Sequence, residues 1–174
     1  MAWTVAEAQA RAGESYLDDE DIDDADAIRW ANDFMREKVD SRYYPRTDWE
    51  VTVAEKTWTD LPADFVTVVE MKDSSDQDYR NYLIDDNQIR FGTADTYTVA
   101  YRAEPATLAL ASEVALPVLW LSAMGYFMAS RFRSKDDSED PDAAVKMTEC
   151  DKIIQRAMGQ RRATNNPMRV RMRW

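Results

Sequence analysis

Histidine is absent from these 174 residues. That removes the commonest general base, the commonest transition-metal ligand and every nucleophile–histidine–carboxylate triad. Cysteine occurs once, at Cys150. No internal disulfide can form, which suits a reducing compartment or a lifestyle indifferent to one. Glycine occurs four times and never in a cluster, so there is no phosphate-cradling loop. No repeat of fixed period is present. The opening "MAWTVAEAQARAGES" carries acids and lacks an apolar signal core, and it reads as no secretory leader.

What is abundant is acid. The net charge is −11, unevenly placed. Residues 161–174 hold five arginines and no acid, which leaves 17 basic against 33 acidic residues in 1–160, a net of −16. An anionic body argues against wrapping DNA, because phosphate contacts need Lys and Arg. It leaves open a place beside DNA without binding it. The hydrophobic fraction of 45% and charged fraction of 32% fit a folded domain with a wet surface, not a disordered chain. The length fits one domain with room for a subdomain.

Periodicity predicts an α+β fold. It reads as a mainly helical bundle of about four helices, with an inserted antiparallel β block and an extended C-terminal tail. Residues 3–16 form a first helix, and a second starts at Asp26 and ends before Pro45, with its apolar face on Ile28, Ala31, Phe34, Met35 and Val39. From Trp49 the period changes to two. "WEVTVAEKTW" is a half-exposed strand, "TDLPADF" a turn, "FVTVVEMK" a strand, "NYLIDDNQIRF" a hairpin and "TYTVAYRAEP" a last strand. Helix returns at Ser112–Glu113, and a final helix runs from Pro141 with its stop at Gly159. The domains expected are a helical pair at 1–45, the β block at 46–105, a second helical pair at 106–162 and an extended basic tail at 163–174. The apolar stretch 114–130 is as long as the shortest membrane spans, roughly 17 residues. Pro117, Ser122, Gly125 and the following "RFRSK" favour a buried helix in a protein with no membrane contact.

Two segments invite a chemical reading. "DDEDIDDAD" packs seven carboxylates into nine residues. In a calcium-loop frame starting at Asp19, Asp21 and Asp23 fall at ligand positions, but Asp24 stands where Gly is needed and Trp30 where Glu is needed. The frame fails, no metal site or other cofactor is expected, and the run reads as a solvated cap on the second helix. The aromatics of the β block lack the basic lining that a base-stacking platform needs. No carboxylate pair or other catalytic constellation stands out, and the protein reads as no enzyme.

The other segment is "MRVRMRW". Met168, Val170, Met172 and Trp174 alternate with Arg169, Arg171 and Arg173. Extended, it spans roughly 23 Å, with its apolar side chains on one face and its arginines on the other. Such a strand can add to the open edge of another molecule's sheet. An edge strand on its own sheet and a frayed basic end are the alternatives. Asn165, Asn166 and Pro167 separate it from the last helix.

Taken in order, these stretches resemble the head–tail connector (adaptor) proteins of tailed bacteriophages. The matching features are the short first helix, the Asp-rich loop, the Asn32-Asp33 pair on the second helix and the turn Leu61-Pro62-Ala63-Asp64-Phe65. The strand with Tyr97, Val99, Tyr101 and Pro105 follows, then two closing helices. The resemblance covers roughly 3–160, and the tail carries none of it. It implies a structural ring, usually of twelve copies, docked under the portal protein at the neck of the virion. DNA passes through the bore without specific binding, and a downstream neck or tail protein sits below. Residues 168–174 would then dock on the portal or on a neighbouring subunit. Another neck component, a stopper or tail-completion protein, shares this logic. An acidic DNA mimic and a calcium-dependent module are rivals of other classes.

Overall fold

The computed structural model describes residues 2–18, 20–136 and 140–165, as backbone alone at 136 and 160–165. The chain folds as a mixed α+β protein with antiparallel sheets and, among the described residues, four α-helices. It forms two compact units. One is drawn from Met1–Lys38 and Thr107–Trp174, the other is Val39–Ala106.

The first unit begins with a two-residue strand, β1 (Trp3–Thr4), and not with helix as the 3–4 spacing predicts. Helix α1 (Val5–Tyr16) follows. Thr4 is its N-cap: the Glu7 N–H donates to Thr4 Oγ1 at 3.2 Å, and the Thr4 N–H donates to Glu7 Oε2 at 2.8 Å. This reciprocal capping box fixes the boundary. Val5, Ala8 and Ala12 form the buried stripe. At the far end the Leu17 N–H returns to Gly13 O, and Asp18 takes φ +53°, the left-handed conformation that ends a helix.

Helix α2 (Asp24–Glu37) is capped by Asp23, whose carboxylate accepts the Ala25 N–H at 2.8 Å. Its buried face is Ala27, Trp30, Ala31, Phe34 and Met35, with Trp30 inside where the sequence favours Ile28. The helix stops at Glu37, well short of Pro45. Asp40 caps a separate 3-10 turn at Ser41–Tyr43 by accepting the Arg42 N–H at 2.9 Å.

The second unit holds six strands: β2 (Arg46–Val53), β3 (Trp58–Asp60), β4 (Phe65–Lys72), β5 (Tyr82–Asp85), β6 (Gln88–Phe91) and β7 (Asp95–Ala103). The β block is not one sheet. It forms two three-stranded antiparallel sheets, ordered β2-β7-β4 and β3-β6-β5. Trp58–Asp60, part of which reads as turn, is a strand. Lys56, with φ +56°, reverses the chain ahead of it, and its N–H donates to Phe91 O at 3.1 Å. One apolar cluster serves the inner faces of both sheets: Val53, Leu61, Met71, Ile89, Phe91, Tyr97 and Val99. Phe91 stacks on Tyr97 at 4.3 Å between ring centroids. The chain enters and leaves this unit side by side, since the Ala103 N–H donates to Pro45 O at 2.9 Å and the Arg102 guanidinium to Tyr44 O at 2.9 Å.

Back in the first unit, β8 (Glu113–Val114) pairs with β1, and Trp3 Nε1 donates to Leu116 O at 3.0 Å. The predicted helix start at Ser112 is therefore displaced. Pro117 sits ahead of α3 (Leu119–Asp136), where its missing N–H costs nothing, and its carbonyl accepts the Trp120 N–H at 2.8 Å. The apolar stretch 114–130 thus splits into strand, turn and helix. No helix among the described residues is long and apolar enough to cross a membrane. Trp120, Ala123, Met124, Phe127 and Met128 are fully buried. Each of the large ones stabilises the fold by about 1.5–3 kcal/mol relative to exposure. Phe127 meets Phe34 edge-on at 5.5 Å, and Tyr126 stacks on Tyr16 at 3.8 Å. Helix α4 (Pro141–Asn165) packs on α3, and Ser130 Oγ donates to Ala143 O at 2.8 Å across the pair. Gly159 does not end α4. The helix continues to Asn165, into the stretch 163–174 that reads as extended. Met158 and Gln160 flank that glycine, and good helix formers outweigh a single Gly costing about 1 kcal/mol.

Candidate docking surfaces

The predicted partner-binding segment, Met168, Arg169, Val170, Arg171, Met172, Arg173 and Trp174, lies outside the described residues. What the structure offers is the surface that such a segment, or another partner, would meet.

In the first unit four acids of the Asp-rich loop are engaged in the fold. Asp23 caps α2. Asp24 accepts from Gln9 Nε2 at 2.8 Å, and the same nitrogen donates to Ile22 O at 2.7 Å. Asp26 pairs with Lys135 and Arg29, each at 2.8 Å. The hydrogen bond from Lys135 holds the Asp26 carboxyl below its ordinary range, against the opposing effect of burial. Glu20 pairs with Arg133 at 3.0 Å. Among the described residues no three carboxylate, thiol or imidazole groups converge on a point where a metal ion would sit. Cys150 is buried on α4, and loss of water pushes its thiol up to about 12. It is held as a neutral thiol.

The second unit carries the more distinctive surfaces. Sheet β2-β7-β4 turns Asp48, Glu50, Thr96, Thr98 and Glu70 away from its core. They line a shallow concavity of about 530 Å³ together with Arg46, Lys72, Asp73 and Asp76. Arg46 reaches Glu70 at 3.0 Å, and Lys72 reaches Asp76 at 2.7 Å. Five carboxylates there face two cations. Such a face repels phosphate and attracts guanidinium groups.

The inner side of the same sheet is aromatic. Tyr97 Oη donates to Thr93 O at 3.0 Å. Burial pushes the Tyr97 phenol up to about 12, so it stays protonated as a packing and hydrogen-bonding group.

Three strand edges differ in how they are guarded. Strand β4 has two register breaks against β7, between Phe65 and Thr67 and between Val68 and Glu70. Val66 and Val69 stand at those breaks and are exposed. Bulges twist an edge out of reach of another strand. A groove of about 760 Å³, lined by Val69, Met71, Tyr79 and Tyr82, opens beside this blunted edge. Strand β5 is regular but only four residues long, with Leu83 and Ile84 exposed. Leu83 lies in one row with Arg90 and Trp58, the Arg90 guanidinium 5.0 Å from the Trp58 ring centre. Strand β2 is the long regular edge. It runs eight residues against β7 in unbroken register.

Sequence reasoning does not find Val66, Val69, Leu83 or Trp58 as surface groups, because strand residues of this type usually face a core. The available signal is the consecutive apolar pairs Phe65-Val66, Val68-Val69 and Leu83-Ile84, which no half-buried strand can put on a single face. The motif residues fare better. Asp64 accepts the Tyr101 hydroxyl at 3.0 Å, while its carbonyl accepts the Glu104 N–H at 2.7 Å. Asn32 holds the backbone at Leu108.

Compared with family models and with curated proteins, the sequence matches none.

Proposed function

We propose that this chain is a structural head–tail connector of a tailed phage, a ring-forming adaptor under the portal protein through which DNA passes. On this reading the four helices are the frame of the subunit and the β block is an insertion. Residues 168–174 are a docking strand for the portal or for a neighbouring subunit. The downstream neck or tail protein meets the opposite side, and the assembly sits at the portal vertex of the virion.

The observation that carries the reading is where the residues of the resemblance fall. Asn32 secures the chain as it re-enters the helical unit, and Asp64 and Tyr101 close the β unit where it ends. A set of motifs that recurs in order and also occupies the joints of the fold is poorly explained by chance. The carboxylate-rich face of β2-β7-β4 adds support, because a surface beside moving DNA should not hold phosphate.

That same face also favours a second reading. Asp48, Glu50, Glu70, Asp73 and Asp76 could mimic a phosphate array and occupy a nucleic-acid-binding enzyme. The two are separated by co-expression with the portal protein of the same genome and negative-stain microscopy, beside a truncation ending at Asn166. Rings stacked on portals with the full chain and bare portals with the truncation support both the connector and its docking strand. Stacked rings in both samples keep the connector and remove the strand's role. Bare portals in both samples overturn the adaptor position and move the weight to a stopper, a tail-completion protein or the mimic.

A further inference from the structure

The longest regular strand edge in the protein has no partner among the described residues. Strand β2 stands at the end of its sheet. The Ala103 N–H donates to Pro45 O, which sets the phase of the ladder with β7. Alternate residues from Pro45 onward, Thr47, Trp49 and Val51, therefore bond to β7. Arg46, Asp48, Glu50 and Thr52 aim their N–H and C=O groups outward at solvent. Natural proteins blunt such edges with bulges, prolines, lysines or brevity. Edge β4 has its bulges and β3 its brevity. Edge β2 has no bulge, proline or lysine over eight residues, and its charged groups Arg46, Asp48 and Glu50 all lie on one face.

Its side chains are also sorted by face. Asp48 and Glu50 are exposed on one side, in the acidic concavity. Trp49 and Val51 are only half-buried on the other, packed against the margin of the apolar cluster. An added strand that fits must be basic on one face, apolar on the other, and no longer than the eight residues of β2. Residues 168–174 of this same chain have that pattern: Arg169, Arg171 and Arg173 against Met168, Val170, Met172 and Trp174.

We propose that 168–174 of one copy adds as a strand to the open edge of β2 in a second copy. The arginines lie beside Asp48 and Glu50, and the methionines and Trp174 extend the apolar cluster past Trp49 and Val51. Main-chain ladder bonds supply the affinity, and the match of faces supplies the register. Among the described residues the edge is open, and a neighbour's strand fills it. Repeated head to tail, this contact closes a ring or runs on as a filament. The inference rests on reading 168–174 as a docking strand. It does not rest on the portal.

The test uses the full chain alone, without portal, by sedimentation velocity across a concentration series. The native protein should self-associate. A triple reversal, Arg169→Glu, Arg171→Glu and Arg173→Glu, should weaken association by about a hundredfold, as should Asp48→Arg with Glu50→Arg. An equimolar mixture of the two reversed proteins should recover association by forming mixed pairs, because each supplies the intact half that the other lacks. Glu50→Pro removes an outward N–H that β7 does not use, and it should abolish association while Glu50→Ala does not. A native protein that stays monomeric overturns the proposal. So does association unaffected by tail reversal, or a Glu50→Pro variant that associates like Glu50→Ala. A failure here with portal stacking intact leaves the connector reading standing, and the converse holds.

Discussion

The side chain of Asn32 pairs with both backbone groups of Leu108. Its Nδ2 donates to Leu108 O at 3.0 Å and its Oδ1 accepts the Leu108 N–H at 2.8 Å, as a neighbouring strand would. The same nitrogen also donates to Ile28 O at 2.8 Å within α2. Asn32→Ala strands these groups and should cost about 1–3 kcal/mol. Asn32→Asp should also destabilise, because a carboxylate cannot donate to two carbonyls. Chemical denaturation of the three proteins checks both, and a variant as stable as the native chain would remove Asn32 from its anchoring role.

Tyr101 and Asp64 make a second joint, within the β unit. Burial raises the Tyr101 phenol above its ordinary value, and the hydrogen bond to Asp64 adds to the effect. Tyr101→Phe keeps the ring stacked on Phe65, whose centroid is 5.5 Å away, and removes only the hydroxyl. The expected loss is about 1 kcal/mol. Combining it with Asp64→Ala should cost less than the sum of the two single changes, which a double-mutant cycle measures directly.

Two helix glycines should respond with opposite signs. A Cβ added at Gly159 meets nothing within 4 Å, so Gly159→Ala should stabilise by about 1 kcal/mol through helix propensity. A Cβ at Gly13 would lie 2.8 Å from Glu20 O, a backbone atom that cannot swing aside. Gly13→Ala should therefore lower the melting temperature despite the same intrinsic gain. Equal shifts in both variants would contradict the close packing of the Asp-rich loop on α1.

Asp26 links that loop to the last turns of α3 through Lys135. Its folded carboxyl titrates below the ordinary value, so the unfolded chain binds the proton more readily. The resulting stability is present above the ordinary aspartate range and is lost as pH falls through the lower folded value. Lys135 is half exposed, which limits the effect to about 1 kcal/mol or less. Lys135→Ala should lower stability at neutral pH and leave it unchanged in strong acid. Urea midpoints measured across that range decide it.

Much of this architecture is legible in the sequence, for local reasons. The period-two runs at Phe65–Lys72 and Asp95–Ala103 each form a strand where alternation predicts one. Helix α2 begins beside its aspartates because Asp23 supplies an acceptor for a free N–H. What is not legible depends on partners far away in the chain. Trp3–Thr4 looks helical by spacing and becomes a strand only because Glu113–Val114 lies alongside. The β block divides into two sheets because Tyr82–Asp85 and Trp58–Asp60 both choose β6, which no local pattern announces. The open edge of β2 is invisible for the same reason: alternation predicts a strand but says nothing of who sits beside it.

The hydrogen bond between Ala103 and Pro45 has a consequence for how the protein is made. It brings together the two points at which the chain passes into and out of the β unit. All of that unit is synthesised before the first residue of α3. Once folded, it has already tied off the long excursion between α2 and the later helices. The two closing helices then reach α1 and α2 without an entropic charge for that excursion, which for an open loop of about 60 residues would be roughly 3–4 kcal/mol. A β unit that folds first would thus act as a clasp, with the helical core completed on a chain already shortened.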